Sequence, residues 1–87
     1  MKESELERLR KHLDGLDDRL IDLLAERAAA VKAIWALKQQ HQLGLVDPAR
    51  EAAIFARLAE RARARGLQPA AVAEVLRAVV GKKLDQD

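Results

Sequence analysis

The stretch SELERLRKHLDGLDDRLIDLLAERAAAVKAIWALKQQH, residues 4 to 41, decides the fold. Leu6, Leu9, Leu13, Leu16, Leu20 and Leu23 recur at alternating steps of three and four, the seam of a heptad repeat. No proline interrupts the stretch, and Gly15 is the only glycine inside it. Ser4 with Glu7 three residues on reads as a capping box at the start of one uninterrupted helix. The seam's next positions are Arg27, Ala30, Ile34 and Leu37, so a cation stands where the pattern asks for leucine.

Length adds a second constraint. At 1.5 Å per residue such a helix spans roughly 56 Å. A compact chain of 87 residues has a radius of gyration of about 12 Å and a diameter of roughly 31 Å. The helix is therefore too long for its own chain to cover. An exposed leucine seam is a large sticky patch, which favours a helix shared with a second copy in a homodimer. A core this small is also marginal alone.

Working outward, Gln42 to Val46 is a short loop containing Gly44. Asp47-Pro48 then starts a second helix, an N-cap oxygen followed by proline at the first helical position. This helix runs from 48 to about 65, with Gly66 suited to the residue just past its end. Ile54, Leu58 and Ala62, with Phe55 beside them, form its inward face. Gln68-Pro69 starts a third helix over about 69–84, whose stripe is Val72, Val75, Leu76, Val79 and Val80. The expectation is one all-α domain over residues 1–87, three helices joined by short loops.

Composition narrows the function. The chain is 49% hydrophobic and 34% charged, with Trp35 and Phe55 its only aromatics. It holds no cysteine, which removes disulfides, thiolate nucleophiles and zinc-thiolate sites. No apolar run is long enough to span a membrane, and the charged N-terminus is unlike a signal peptide, so a cytoplasmic protein is expected. The net charge of +2, without a basic stripe or stacking aromatics, argues against nucleic acid.

Arg27 and Lys38 stand eleven residues apart, roughly 20° apart around the helix and roughly 16 Å along it. Val31 and Ile34 lie between them on the same face. The product is an apolar strip with a cation at each end, suited to an anionic molecule with a hydrophobic middle. Pairing with carboxylates of other helices, or snorkelling to water, accounts for the same pattern. Arg10 lies roughly 100° off that face and about 25 Å from Arg27, and can join it only from a second chain. Two first helices crossing antiparallel near Leu20 would bring it there.

Asp47 is explained as a cap and Glu51 suits a helix N-terminus, whereas Arg50 is disfavoured there by the helix dipole and needs an anion or an ion pair. Lys83 continues the third helix's stripe, and Asp87 follows four residues later. Arg57, Arg61, Arg63 and Arg65 read as a solvated face. His12 and His41 lack partners for metal or acid–base work. Asp14, Asp17, Asp18 and Asp22 read as a polar face, partly paired with Arg19 or Lys11, rather than a metal site.

The run Leu13-Asp14-Gly15-Leu16-Asp17-Asp18-Arg19-Leu20-Ile21-Asp22-Leu23-Leu24-Ala25-Glu26-Arg27 resembles the signature of the all-helical chorismate mutases. The similarity continues at Lys38 and at Val46-Asp47-Pro48-Ala49-Arg50-Glu51, with Arg10 seventeen residues before Arg27. It covers nearly the whole chain, and the joint spacing is more specific than any one piece. The resemblance implies an intertwined three-helix homodimer with two equivalent active sites and no cofactor or metal. Arg27 and the partner subunit's Arg10 would hold the two carboxylates of chorismate. Lys38 would donate to the ether oxygen of the breaking bond. Glu51 and the backbone near Asp47 would bind the ring hydroxyl, and Arg50 would support the carboxylate end. Lys83 falls where that family commonly has serine. Asp87 falls where it commonly has glutamine or glutamate facing the ether oxygen, with Gln86 one residue off register. Isochorismate pyruvate-lyase, aminodeoxychorismate mutase and a non-catalytic helical dimer are the alternatives on this frame.

Overall fold

The computed structural model describes residues 2–44 and 47–85. It contains α1 Lys2–Gln40, α2 Pro48–Ala64 and α3 Pro69–Arg77, with no strand among the described residues. The all-α expectation is met, and the bounds of α1 and α2 fall within two residues of those read from sequence. The capping box is not. Helix α1 begins at Lys2, so Ser4 and Glu7 lie inside it, and Glu7 pairs one turn on with Arg10 at 3.7 Å. Lysine and glutamate are good helix formers and extend an exposed helix start at little cost.

Helices α1 and α2 end in the same way. The Leu43 N–H donates to the Lys38 carbonyl at 2.7 Å, and the Gln42 N–H to the Gln39 carbonyl at 3.1 Å. The Leu67 N–H donates to the Ala62 carbonyl at 2.9 Å, and the Gly66 N–H to the Arg63 carbonyl at 3.0 Å. Both are Schellman motifs, which need a left-handed residue just past the helix. Gly66 fills that role at φ 76°, as its sequence position suggests, while at the end of α1 the role falls to Gln42 at φ 57°.

Asp47 caps α2 as expected: its Oδ1 accepts the Arg50 N–H at 3.0 Å, and Pro48 opens the helix. Helices α2 and α3 pack on each other, and the buried core of the described residues is Ala62 in α2 with Val79 and Val80 in the turn after α3. Ile54, Phe55, Leu58, Val72 and Leu76 lie half-buried around it, while Val75 sits at the edge of its stripe and is exposed.

Helix α3 is shorter than the apolar stripe suggests. Its regular part ends at Arg77 rather than near Leu84. Helical bonding continues for one turn, with the Val80 N–H donating to the Leu76 carbonyl at 2.7 Å. Gly81 at φ 74° then breaks it. The segment after Gly81 crosses to α1, where Asp85 meets Lys32 at 3.8 Å.

Helix α1 makes no close backbone approach to α2 or α3. Its seam is bare, with Leu6, Leu9, Leu13, Leu16, Leu20 and Leu23 all exposed. The chain measures 61 × 29 × 16 Å with a radius of gyration of 17.0 Å, against about 12 Å for a compact chain of this length. Its accessible surface is 7556 Å², where a compact chain of this mass exposes roughly 5,100 Å².

Candidate active site

Charged side chains on a small helical protein normally stand in water. Among the residues whose burial is described, every Asp, Glu, Lys and Arg is exposed except Arg27, Lys38, Glu51 and Asp85, which are half-buried. Taking a charge partly out of water costs free energy unless something compensates it. These four positions therefore need a reason that the exposed charges do not.

Arg27 and Lys38 are placed by α1 alone, roughly 16 Å apart on one face, with half-buried Val31 between them. The Lys38 carbonyl also anchors the Schellman motif, which fixes the last turn beneath its side chain. Glu51 comes from the first turn of α2, and its carboxylate lies against the backbone of Gly81 after α3. Neither partner of that contact is near the other in sequence.

A cavity of about 300 Å³ opens between α1 and the segment after Gly81, bounded by Arg27, Val31 and Trp35 on one side and Lys83, Leu84 and Asp85 on the other. The structure thus brings Arg27 and Lys83 to one cavity, with Lys32 and Lys82 also on its wall. Lys38 and Glu51 lie outside this lining. An apolar groove continues from it past Ile21, Leu24 and Ala28. Asp85 Oδ2 is buried there without a hydrogen-bond partner, its nearest cation being Lys32.

The remaining candidates are not gathered by one chain. Arg10 is exposed and pairs with Glu7, about 25 Å along α1 from Arg27. Asp47 and Arg50 have exposed side chains, and the Asp47 carboxylate is engaged with the Arg50 backbone. Asp87 and Gln86 lie outside the described residues. Trp35, Asp85 and Gly81 are additions the sequence reading missed. Trp35 lies about 80° around α1 from Arg27, off the strip. Asp85 follows a pair of lysines with no periodic pattern. Gly81 alone carried a usable signal, a glycine closing an apolar stripe.

Among the described residues, no three or more His, Cys, Asp or Glu side chains gather to hold a metal ion. No helix there is long and apolar enough to cross a membrane.

Fold and site define an all-α protein with cations set into apolar surface on a long helix, chemistry that suits a small carboxylate ligand. The sequence pattern of the family described as chorismate mutase type II matches residues 9–85. The chain belongs to that family. It is 36% identical over 77 residues to the T-protein of Enterobacter agglomerans, an alignment covering 88% of this chain and 21% of that protein. The chain thus spans about a fifth of the length of this curated relative. No solved structure matches it.

Proposed function

We propose that this domain is a chorismate mutase, an isomerase that converts chorismate to prephenate, and that it works as a homodimer. The observation that carries the reading is the selective half-burial of Arg27, Lys38 and Glu51 in a chain whose other described charges, Asp85 excepted, are exposed. Those three are the residues that the family resemblance assigns to the substrate's carboxylate, ether oxygen and ring hydroxyl.

The reaction breaks one C–O bond and forms one C–C bond in a single cyclic shift of electrons. It needs no nucleophile, base or cofactor. What the protein supplies is a compact substrate conformer held between Arg27 and the other anchors. It also supplies a positive donor, Lys38, aimed at the oxygen on which charge builds. Enzymes lower barriers by at least about 8 kcal/mol, and both effects act more strongly in a water-poor site than in solution.

The exposed surface supports the dimer. A chain exposing roughly 2,400 Å² more than its mass warrants has spare surface on the scale that an obligate interface buries. Crossing two copies of α1 covers the seam and carries Arg10 of each subunit toward Arg27 of the other. Arg10 then has a role that its exposed pairing with Glu7 does not explain.

The test is loss of the ultraviolet absorbance of chorismate, with prephenate identified as product. Arg27→Ala and Lys38→Ala should each lower kcat/KM by about a thousandfold or more while the dimer and its helicity persist. A Lys38→Ala variant with a near-normal rate would remove that residue from the mechanism. Turnover of isochorismate or aminodeoxychorismate in place of chorismate would reassign the substrate on the same frame.

A further inference from the structure

We infer that Gly81 is a positioning residue that holds the Glu51 carboxylate in place, an assignment that rests on the reading of Glu51 as a substrate-binding group. Gly81 and Gly66 serve as a matched pair. Both close a helix in the left-handed region, at φ 74° and φ 76°. A Cβ built on Gly66 meets nothing within 4 Å. A Cβ built on Gly81 comes to 3.0 Å from Glu51 Oε2 and 3.2 Å from both Oε1 and Cδ. At Gly66 the bare Cα serves the backbone turn alone, and at Gly81 it also makes room for a carboxylate.

Gly81 is exposed, so no core packing demands the missing side chain. Val79 and Val80 are buried in the turn that follows α3, and Gly81 comes next, with Glu51 from the first turn of α2 against it. Both carboxylate oxygens and their carbon lie within 3.2 Å of where its Cβ would stand. Glu51 is consequently half-buried at a helix start where an acidic side chain would ordinarily be solvated. Beyond the left-handed strain it shares with Gly66, a Cβ here would cost the fold little, because the end of a glutamate side chain swings easily. It would cost the site more, because the displaced group is the one that must meet the substrate.

The experiment uses the full chain with chorismate. Gly81→Ala is expected to lower kcat/KM about tenfold or more, chiefly by raising KM, because a displaced Glu51 loses binding common to ground and transition states. Gly66→Ala meets the same backbone strain without the contact and is expected to keep kcat/KM. Gly81→Asn separates the two costs, since asparagine tolerates the left-handed region yet carries a Cβ. It should be impaired like Gly81→Ala. In a Glu51→Ala background, Gly81→Ala should cost nothing further, because no carboxylate remains to displace.

A normal Gly81→Asn enzyme, or an equal loss from Gly81→Ala with and without Glu51, would overturn the assignment. A wild type inert toward chorismate would instead overturn the functional reading. The carboxyl ¹³C shift of Glu51, in protein labelled at glutamate, then decides the positioning by itself. Gly81→Ala must move that resonance and Gly66→Ala must leave it; an unmoved resonance in Gly81→Ala overturns the inference.

Discussion

Helix α1 leaves Leu13, Leu20 and Leu23 at 55, 53 and 58% exposure, while the α2–α3 hairpin takes Ala62, Val79 and Val80 to 8% or less. Both regions carry apolar residues at helical spacing, so pattern alone does not distinguish them. The difference is where the partner surface comes from. Helix α3 follows α2 after only the short connection Arg65 to Gln68, at small loop-closure cost. Helix α1 packs closely on neither. A stripe that its own chain leaves exposed is what the proposed dimer would cover, and the candidate site lies on that stripe's helix. On the proposed dimer, folding of α1 and completion of the site are one event, while the hairpin that places Glu51 against Gly81 is complete within the chain.

The largest expected effect breaks the α1 side of this contrast. Leu20→Lys puts a charge into the seam and, by two-fold symmetry, does so twice per dimer. In the proposed dimer both copies of Leu20 are covered, and losing the two side chains costs about 4–10 kcal/mol, before any cost of burying the ammonium groups. Sedimentation should show monomer, and far-UV circular dichroism should show loss of most helicity. A folded monomer with α1 still helical would mean that the seam needs no partner.

A middle-sized effect tests the hairpin. Val80→Ala removes two methyl groups from a side chain at 5% exposure and should cost about 2 kcal/mol per subunit. Urea unfolding at fixed protein concentration measures it, with the dimer retained at low denaturant. Dissociation before unfolding would show that the hairpin core and the seam are one structure rather than two.

The same contrast explains what the sequence could disclose. Elements set by local rules were legible: α1 from its leucine spacing, the start of α2 from Asp47-Pro48, and its end from Gly66. The Arg27–Lys38 strip was legible too, because one helix's geometry places both residues. Features that depend on how elements meet were not. The stripe Val72, Leu76, Val79 and Val80 does not itself show that helical bonding stops before Leu84; the one mark is Gly81, whose left-handed backbone decides it. The Glu51–Gly81 contact exists only because α3 docks on α2. The cavity joining Arg27 to Lys83 exists only because the chain after Gly81 returns to α1.

The smallest effects sharpen the comparison at the two helix ends, which share a hydrogen-bond pattern but not a residue type. A side chain in the left-handed region costs about 1 kcal/mol that glycine avoids. Gly66→Ala introduces that cost at the end of α2, with open space around the new methyl group, and should lower stability by about 1 kcal/mol. Gln42→Gly removes it at the end of α1 and should raise stability by about 0.5–1 kcal/mol, less than the full strain because glycine gains freedom in the unfolded chain. Thermal midpoints of the two variants, taken at one protein concentration because assembly shifts them, should move in opposite directions. If Gln42→Gly instead destabilises, the glutamine side chain is making an interaction that outweighs its backbone strain. Gln42 sits four residues past Lys38, whose carbonyl the motif binds, so that interaction would fall at the edge of the candidate site.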